Sequence, residues 1–333
     1  MAATIKDVAA LAQVSVGTVS RYLNGYEVSE TNKRKIDEAI RRLDFKLNPV
    51  ARSLKTSKSM TVAVVVPALA NIFSMSIIEG IERHLDQYGY SVIVCDSQSD
   101  VQKEKSKLQF VKDKYVDGVV IMPTGSDGTH ITEVLGDELP AVLMDRLVED
   151  VKLDAVLVDN VNAVYQAVER LITLGHRRIG MITGPKDIYT AKERQEGYRR
   201  VFVDYNLPID ENLIRYGDYT EDTGYKLMSE FMRLDCPPTA VFVANYEMTI
   251  GAIMAVNEFG IQIPDQLSLI GFDQLELSKL IKPSLSVVVQ PMAEIGQKAA
   301  EMLYQRMRGN CDNFPQVIRL KAHFIEGQSI KRL

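Results

Sequence analysis

Residues 4–25 read TIKDVAALAQVSVGTVSRYLNG, and their spacing decides what kind of head the chain carries. Thr4 followed by Asp7 is a capping-box-like start, and Ile5, Val8 and Leu11 form the apolar stripe of a first helix that breaks near Gln13-Val14. Ser15 can cap a second helix from Val16 to Leu23, stopped by Asn24-Gly25, which tolerates left-handed backbone. Ala9 is small where the two helices would cross, and Val14 and Val19 fill the space between them. The pattern predicts a helix-turn-helix whose second helix lies in a major groove. There Arg21 can donate two hydrogen bonds to guanine O6 and N7, or hold a phosphate instead, while Val16 can touch a thymine methyl. Gln13 stands where such turns often carry Gly. Positive φ at a non-Gly residue costs roughly 1 kcal/mol, which a packed unit tolerates.

Downstream, Ser29 can cap a third helix running to about Leu43, with Ile36, Ile40 and Leu43 on one face and Lys/Arg on the other. Residues 1–58 hold eleven Lys/Arg against six Asp/Glu, whereas the remaining 275 residues hold 28 against 38. The overall charge of −5 by itself argues against a polyanion partner, but it averages a basic head with an acidic body. The same three helices would also suit a unit that packs on the body or binds a protein; the charge and the linker that follows favour nucleic acid. That linker, residues 46–59, reads KLNPVARSLKTSKS. Val50, Ala51 and Leu54 give it a short apolar face, and a helix of barely two turns is marginal in water unless something stabilises it.

From residue 60 the texture alternates. Apolar, β-branched runs recur at 62–67, 91–96, 118–123, 141–145, 155–160, 178–184, 240–245, 267–273 and 285–290, with amphipathic helical stretches between most of them. Strands apolar on both faces, alternating with helices, indicate parallel sheets covered by helices. The alternation recurs across about 60–160 and about 161–290, so two α/β lobes are expected. At 333 residues, two or three domains are also what length alone predicts.

Composition excludes several classes. Cys95, Cys236 and Cys311 lie far apart with no His at metal-ligand spacing, so neither a disulfide framework nor a metal site is expected, and none of the residues asks for a cofactor. No run of 18 apolar residues occurs and the N-terminus lacks a basic cluster followed by an apolar stretch, which together predict a cytoplasmic protein without a membrane partner. An enzyme on the same scaffold is disfavoured: there is no Gly-x-Gly-x-x-Gly after a strand, no P-loop and no Gly-x-Ser-x-Gly, and His84, His130, His176 and His323 are scattered. His176 reads as a helix-end residue beside two cations.

The opening stretch, together with KLNPVARSLKTSKSMTVAVVVP (46–67), HRRIGMITGP (176–185), RQEGY (194–198), PTAVFVAN (238–245), LSLIGFD (267–273) and SVVVQPM (286–292), resembles the lactose-repressor (LacI) family of bacterial transcription regulators over nearly the whole chain. The resemblance implies a small all-α helix-turn-helix headpiece (1–45), a hinge helix (46–59), and an α/β effector domain of two doubly wound parallel-sheet lobes similar to periplasmic binding proteins (60–333). The N-lobe would take about 60–160 plus 290–316, and the C-lobe about 161–289 plus 317–330. The implied DNA-binding set is Ser15, Val16, Gly17, Thr18, Ser20, Arg21, Asn24, Ala51, Leu54 and Lys55. Gly17 departs from members with a long polar side chain there, so base preference should lean on Val16, Thr18 and Arg21. Leu54 matches the leucine that members push between base pairs in the minor groove, an apolar wedge that kinks the duplex. Ala51 is small where two hinge helices of a dimer would meet.

In open α/β sheets ligands sit off the carboxyl ends of the strands. Those ends carry Asn71, Phe73, Asp96, Asp145, Arg146, Asn245, Asp273 and Gln290, polar groups and a ring that suit a polyhydroxylated ligand, although any strand-end Asp can equally be a helix cap. The resemblance adds that Arg194, Asn245, Asp273 and Gln290 match recurrent ligand-contacting positions, Asp145 a frequent one, and Phe73 and Tyr219 wall positions. Tyr246 departs from the Asp that many relatives carry after the Asn.

The implied function is a repressor of carbohydrate-use genes, a homodimer on a pseudo-palindromic double-stranded DNA operator, whose affinity a sugar or related metabolite changes. No heptad extension follows the last motif, which argues for a dimer. The alternative is a global carbon regulator controlled by a phosphocarrier partner protein or by a purine-type corepressor.

Overall fold

The structure, a computed structural model, describes residues 3–23, 26–45, 58–273, 278 and 281–333. It divides into two compact units, Met1–Ser59 and Met60–Leu333.

The first unit contains α1 (Ile5–Ala12), α2 (Val16–Leu23) and α3 (Glu30–Arg42). The capping box forms as its spacing predicts: Asp7 N donates to Thr4 Oγ1 at 3.4 Å and Thr4 N donates to Asp7 Oδ2 at 2.8 Å. Gln13 takes the left-handed conformation (φ 54°) that ends α1, its N–H turned to the Ala9 and Ala10 carbonyls. Val8, Ala9, Ala12, Val19, Ile36 and Ala39 are buried together. The Tyr22 hydroxyl ties α2 to α3 by donating to Asp37.

The second unit has two lobes. The first is a six-stranded parallel sheet in the order β11-β5-β4-β3-β1-β2, built from β1 (Thr61–Val66), β2 (Ser91–Asp96), β3 (Gly118–Ile121), β4 (Ala141–Met144), β5 (Asp154–Val158) and β11 (Val317–Leu320). Its covering helices are α4 (Ile72–Asp86), α5 (Val101–Asp113), α6 (Thr129–Leu135) and α11 (Met292–Met307). The second lobe orders its strands β12-β10-β9-β8-β6-β7, from β6 (Ile179–Thr183), β7 (Ile214–Tyr216), β8 (Ala240–Val243), β9 (Ser268–Phe272), β10 (Ser286–Val289) and β12 (His323–Ile325), the last antiparallel to β10. It is covered by α7 (Asn160–Thr173), α8 (Tyr189–Asp204), α9 (Glu221–Met232) and α10 (Tyr246–Glu258). Strands such as β3, β4, β5, β6, β8 and β9 are buried at every residue, as parallel strands covered on both faces must be.

The helices of each lobe pack in close pairs. Between α9 and α10 the contact is backbone to backbone: a Cβ at Gly251 would lie 1.9 Å from Glu221 O, and one at Gly224 would lie 2.3 Å from Met248 O.

The chain crosses between lobes three times, from β5 into α7, from β10 into α11 and from β11 into β12. The third crossing corrects the expected lobe boundary. Residues 317–320 belong to the first lobe, pairing Val317 with Ala155 through Leu320 with Val158. The cause is Asp154, buried at the start of β5: its Oδ1 accepts from Gln316 N at 2.7 Å, and Arg306 bonds the carboxylate at 2.6 and 3.1 Å. This clamp holds the returning chain beside β5 for one more strand.

His176 is buried rather than merely terminal, its Nδ1 bonded to Thr239 Oγ1 (2.9 Å) and its Nε2 to the Lys331 carbonyl (3.1 Å). Burial pushes its pKa down. Cys95 is buried and Cys236 and Cys311 are exposed, all three free.

Candidate functional site

On the first unit, Ser15 starts α2 by accepting from Thr18 N at 3.0 Å, and its hydroxyl also bonds Thr18 Oγ1 at 2.8 Å. Val16 is 42% exposed although it is aliphatic, and Gly17 and Arg21 are exposed beside it, whereas Thr18 and Ser20 are half-buried. An exposed Val at a helix start, flanked by Gly and followed one turn on by Arg, is a surface that interior packing does not explain. A Cβ at Gly17 would meet only Ser15 Oγ at 3.6 Å, so packing does not require Gly there. Asn24 and the hinge residues Ala51, Leu54 and Lys55 lie outside the described residues.

Within the second unit, Asp145 and Asp273 occupy equivalent places. Each follows the third strand of its sheet, β4 and β9. Each has left-handed backbone, φ 68° and 77°, and each continues the ladder by donating its N–H to the neighbouring strand, Asp145 to Val156 O and Asp273 to Val288 O. Tyr219 is left-handed too (φ 68°). Strained non-glycine positions persist only where the surroundings over-determine them, and they concentrate at functional sites.

Around Asp273 the second lobe gathers its polar groups. Gln290 Nε2 donates to Asp273 Oδ1, while Gln290 Oε1 is buried with no partner. Arg194, 4% exposed, lies 3.9 Å over the Phe272 ring and donates to Asn160 Oδ1 at 2.8 Å and to the Ala244 carbonyl. Asn245 caps α10, its Oδ1 accepting from Met248 N at 3.1 Å and its Nδ2 donating to Tyr219 O (3.3 Å) and Glu247 Oε2 (2.7 Å). The Tyr219 hydroxyl bonds Thr190 Oγ1 at 3.2 Å. From the first lobe, Asp145 is close enough to act on Asp273 electrostatically. Arg146 is already engaged, with Asp145 at 3.1 Å and the Pro123 carbonyl at 3.2 Å.

Other expected site residues have local partners instead. Asn71 caps α4 by accepting from Ser74 N (3.2 Å), Asp96 accepts from Gln98 N (2.7 Å), and Phe73 packs on the first-lobe core. None of these contacts reaches the Asp145–Asp273 group. Glu247 escapes sequence reasoning, since a carboxylate in the first turn of a helix looks like a dipole partner. Its place two residues after Asn245 is the signal that would have found it.

Burial pushes the Asp273 carboxyl up to about 6, against the pull of Arg194 and Gln290 and with Asp145 adding repulsion. Burial likewise lifts Glu247 to about 7, with the Asp273 charge adding to it. Both lie above their ordinary values of 3.8 and 4.5, so the folded protein holds these protons more tightly than the unfolded chain. Their contribution to stability is therefore full below about pH 4 and is lost as pH rises through about 6 to 7. Asp273→Asn keeps the shape without the charge, so its melting temperature should gain on the parent's between about pH 4 and pH 6. Calorimetric curves for the two proteins that run parallel across that window would contradict the assignment.

Among the described residues no group of side chains could hold a metal ion, and no helix is long and apolar enough to cross a membrane. The site thus offers carboxylates, an unpaired amide oxygen, a committed guanidinium and a phenol ring, a set that fits a ligand rich in hydroxyl donors.

Comparison with known proteins places both units. Residues 4–48 match the bacterial regulatory proteins of the lacI family, and residues 59–327 match the periplasmic binding proteins and sugar binding domain of the LacI family. The chain is 35% identical to catabolite control protein A of Priestia megaterium over 92% of its own length and 93% of the relative's. It is 34% identical to the HTH-type transcriptional repressor CytR of Escherichia coli strain K12, covering 92% and 91%. Among solved structures it superposes on the lac repressor dimer bound to operator and the anti-inducer ONPF with a TM-score of 0.88, at 25% identity and with 99% and 100% of the two chains covered.

Proposed function

The chain belongs to the lacI family of bacterial regulatory proteins and is a DNA-binding transcriptional regulator, and from this premise we propose that it represses carbohydrate-use genes under the control of an uncharged sugar or sugar derivative bound between its two lobes. It works as a homodimer, one helix-turn-helix on each half of a pseudo-palindromic operator. The observation that carries the effector reading is the paired left-handed aspartates, Asp145 and Asp273, each at the end of a strand of its own sheet and the first acting electrostatically on the second, whose partner Gln290 keeps an unpaired oxygen. These acceptors ask for hydroxyl donors. They also oppose a phosphate or carboxylate on the ligand, because the buried Asp273 and its neighbour Glu247 already resist ionisation. Ligand binding acts on DNA only through its preference for one relative orientation of the lobes. In this reading the ligand acts as an effector and leaves unchanged.

A thermal-shift screen of neutral sugars, sugar phosphates, sugar acids and purine nucleosides tests this reading, since a ligand that binds only the native fold raises the melting temperature. Neutral sugars are expected to be the stabilising class. Stabilisation by a purine, whose ring Tyr219 could stack, would favour the corepressor alternative, and no response except in the presence of a phosphocarrier protein would favour the partner-controlled one. On the DNA side, Arg21→Ala is expected to weaken binding to an operator selected from random duplexes by about ten- to hundredfold. If Arg21 reads guanine, the variant also loses preference at one base position. A loss equal on all sequences, with a smaller salt slope, would assign Arg21 to phosphate.

A further inference from the structure

Tyr189 is the first residue of α8 in the second lobe, yet it packs against a hydrophobic cluster of the first lobe. Its hydroxyl donates to Glu193 Oε1 at 2.7 Å and accepts from Arg319 at 2.6 Å. Arg319 lies on β11, the edge strand of the first sheet, and a second of its nitrogens donates to the same Glu193 Oε1 at 2.9 Å. Glu193 turns its other oxygen, Oε2, to Asn160 Nδ2 at 3.3 Å, and Asn160 Oδ1 accepts from Arg194 Nε at 2.8 Å. One hydrogen-bonded chain therefore runs from the edge of the first lobe to the guanidinium over Phe272.

The direction of each bond in this chain has a consequence. A buried amide can turn either its oxygen or its nitrogen toward a neighbour, and the groups on both sides decide which. Asn160 must present oxygen to Arg194, and it does so because its nitrogen has acceptors behind it, the Glu193 carboxylate and the Val158 carbonyl. Glu193 is in turn held by two donors. Burial raises the Tyr189 hydroxyl to about 12, helped by the Glu193 bond, so it stays protonated as a donor. Glu193 is 15% exposed and Arg319 43%, so the bond between them is screened far less than one between two fully exposed groups. The chain is also placed at the crossings: Asn160 begins the segment leaving β5, and Arg319 sits one residue before the end of β11. A change of lobe angle displaces Arg319 relative to α8.

We propose that Glu193, Arg319 and Tyr189 are positioning residues that set the Asn160 amide and through it the Arg194 guanidinium, so that the order of Arg194 depends on the relative orientation of the two lobes. A ligand that bonds Arg194 in its aligned position then favours the orientation in which Arg319 reaches Glu193. That regulatory consequence rests on the effector reading above, whereas the relay itself is tested without any effector.

The test uses the full ¹⁵N-labelled chain and follows the Arg194 Nε–H resonance, identified by its disappearance in Arg194→Lys. Glu193→Gln and Arg319→Met are each expected to raise solvent exchange of that proton by about fivefold or more. The double variant should show no further increase, and Arg319→Lys should restore part of the protection. Exchange unchanged in Glu193→Gln overturns the relay. Exchange raised in Glu193→Gln but unchanged in Arg319→Met overturns its extension across the lobes. Should Glu193→Gln fail to fold, Arg319→Met, a change at a half-exposed edge strand, decides alone: unchanged exchange refutes the proposal. A sugar screen that fails while the exchange effect holds refutes the effector reading and leaves the relay standing.

Discussion

Arg194→Ala is expected to lower the stability of the two-lobed body by about 3–5 kcal/mol, read as a fall in the midpoint of its urea transition. The guanidinium is buried and serves three neighbours at once: the Asn160 oxygen, the Ala244 carbonyl and the face of Phe272. It is also the cation that most opposes the rise in the Asp273 pKa. Truncation removes the donors, leaves two buried acceptors unsatisfied, opens a cavity over the ring and strands a carboxylate that then ionises less readily still. Part of the loss should be recovered at low pH, where Asp273 carries a proton and no longer needs the cation. Arg194→Lys should fall between, because one ammonium cannot reach Asn160 and Ala244 with the planar fork that Arg provides. A loss below about 1 kcal/mol, the value of an ordinary exposed pair, would mean the network is not the anchor described.

Gly251→Ala is the second large effect. Adding one methyl at an interior helix position normally stabilises by about 1 kcal/mol. Here the added carbon would fall 1.9 Å from Glu221 O and 2.6 Å from Tyr225 N. Both are backbone atoms of α9, so no rotamer change relieves the clash, and the two helix axes must separate. Overpacking of this kind costs typically about 1–3 kcal/mol and occasionally more, and the backbone contact puts this site at the upper end. Since α10 carries Asn245 and Glu247 at its start, its displacement should also weaken ligand binding. The same carbon at Gly17 meets only Ser15 Oγ at 3.6 Å. A Gly251→Ala protein as stable as the parent in urea would show that the helix pair yields more freely than its spacing implies.

Much of the architecture is legible because it rests on local rules. The Thr4–Asp7 box, the left-handed Gln13 and the strands buried on both faces each follow from a few neighbouring residues. Asp145, Asn245, Asp273 and Gln290 could be picked out as strand-end polar groups because a parallel sheet puts those ends on one edge. What was not legible is non-local or weakly patterned. β7, β11 and β12 are short and half-exposed, so no apolar run announces them. The placement of β11 depends on Asp154 meeting Gln316 N, a contact 162 residues apart in sequence. Arg319 and Glu193 are 126 residues apart, and neither residue's surroundings in the chain point to the other. Left-handed backbone at Asp145, Tyr219 and Asp273 is likewise imposed by tertiary contacts, since none of the three sits in a turn sequence that asks for it.

The three crossings also set the order in which the molecule can be completed during synthesis. The helix-turn-helix is finished once its third helix has left the ribosome, since the described residues of its core all lie within residues 5–45. The first lobe is not: β5 must wait with an open edge while five of the six strands of the second lobe are made, because the strand that closes it, β11, is among the last segments to emerge. Open β edges are where chains pair wrongly, so the nascent protein has a DNA-reading head long before it has a finished body. Chain pausing or truncation anywhere between residues 160 and 316 would leave that head attached to an unclosed sheet, and quality control must deal with a folded end and an aggregation-prone end on one polypeptide.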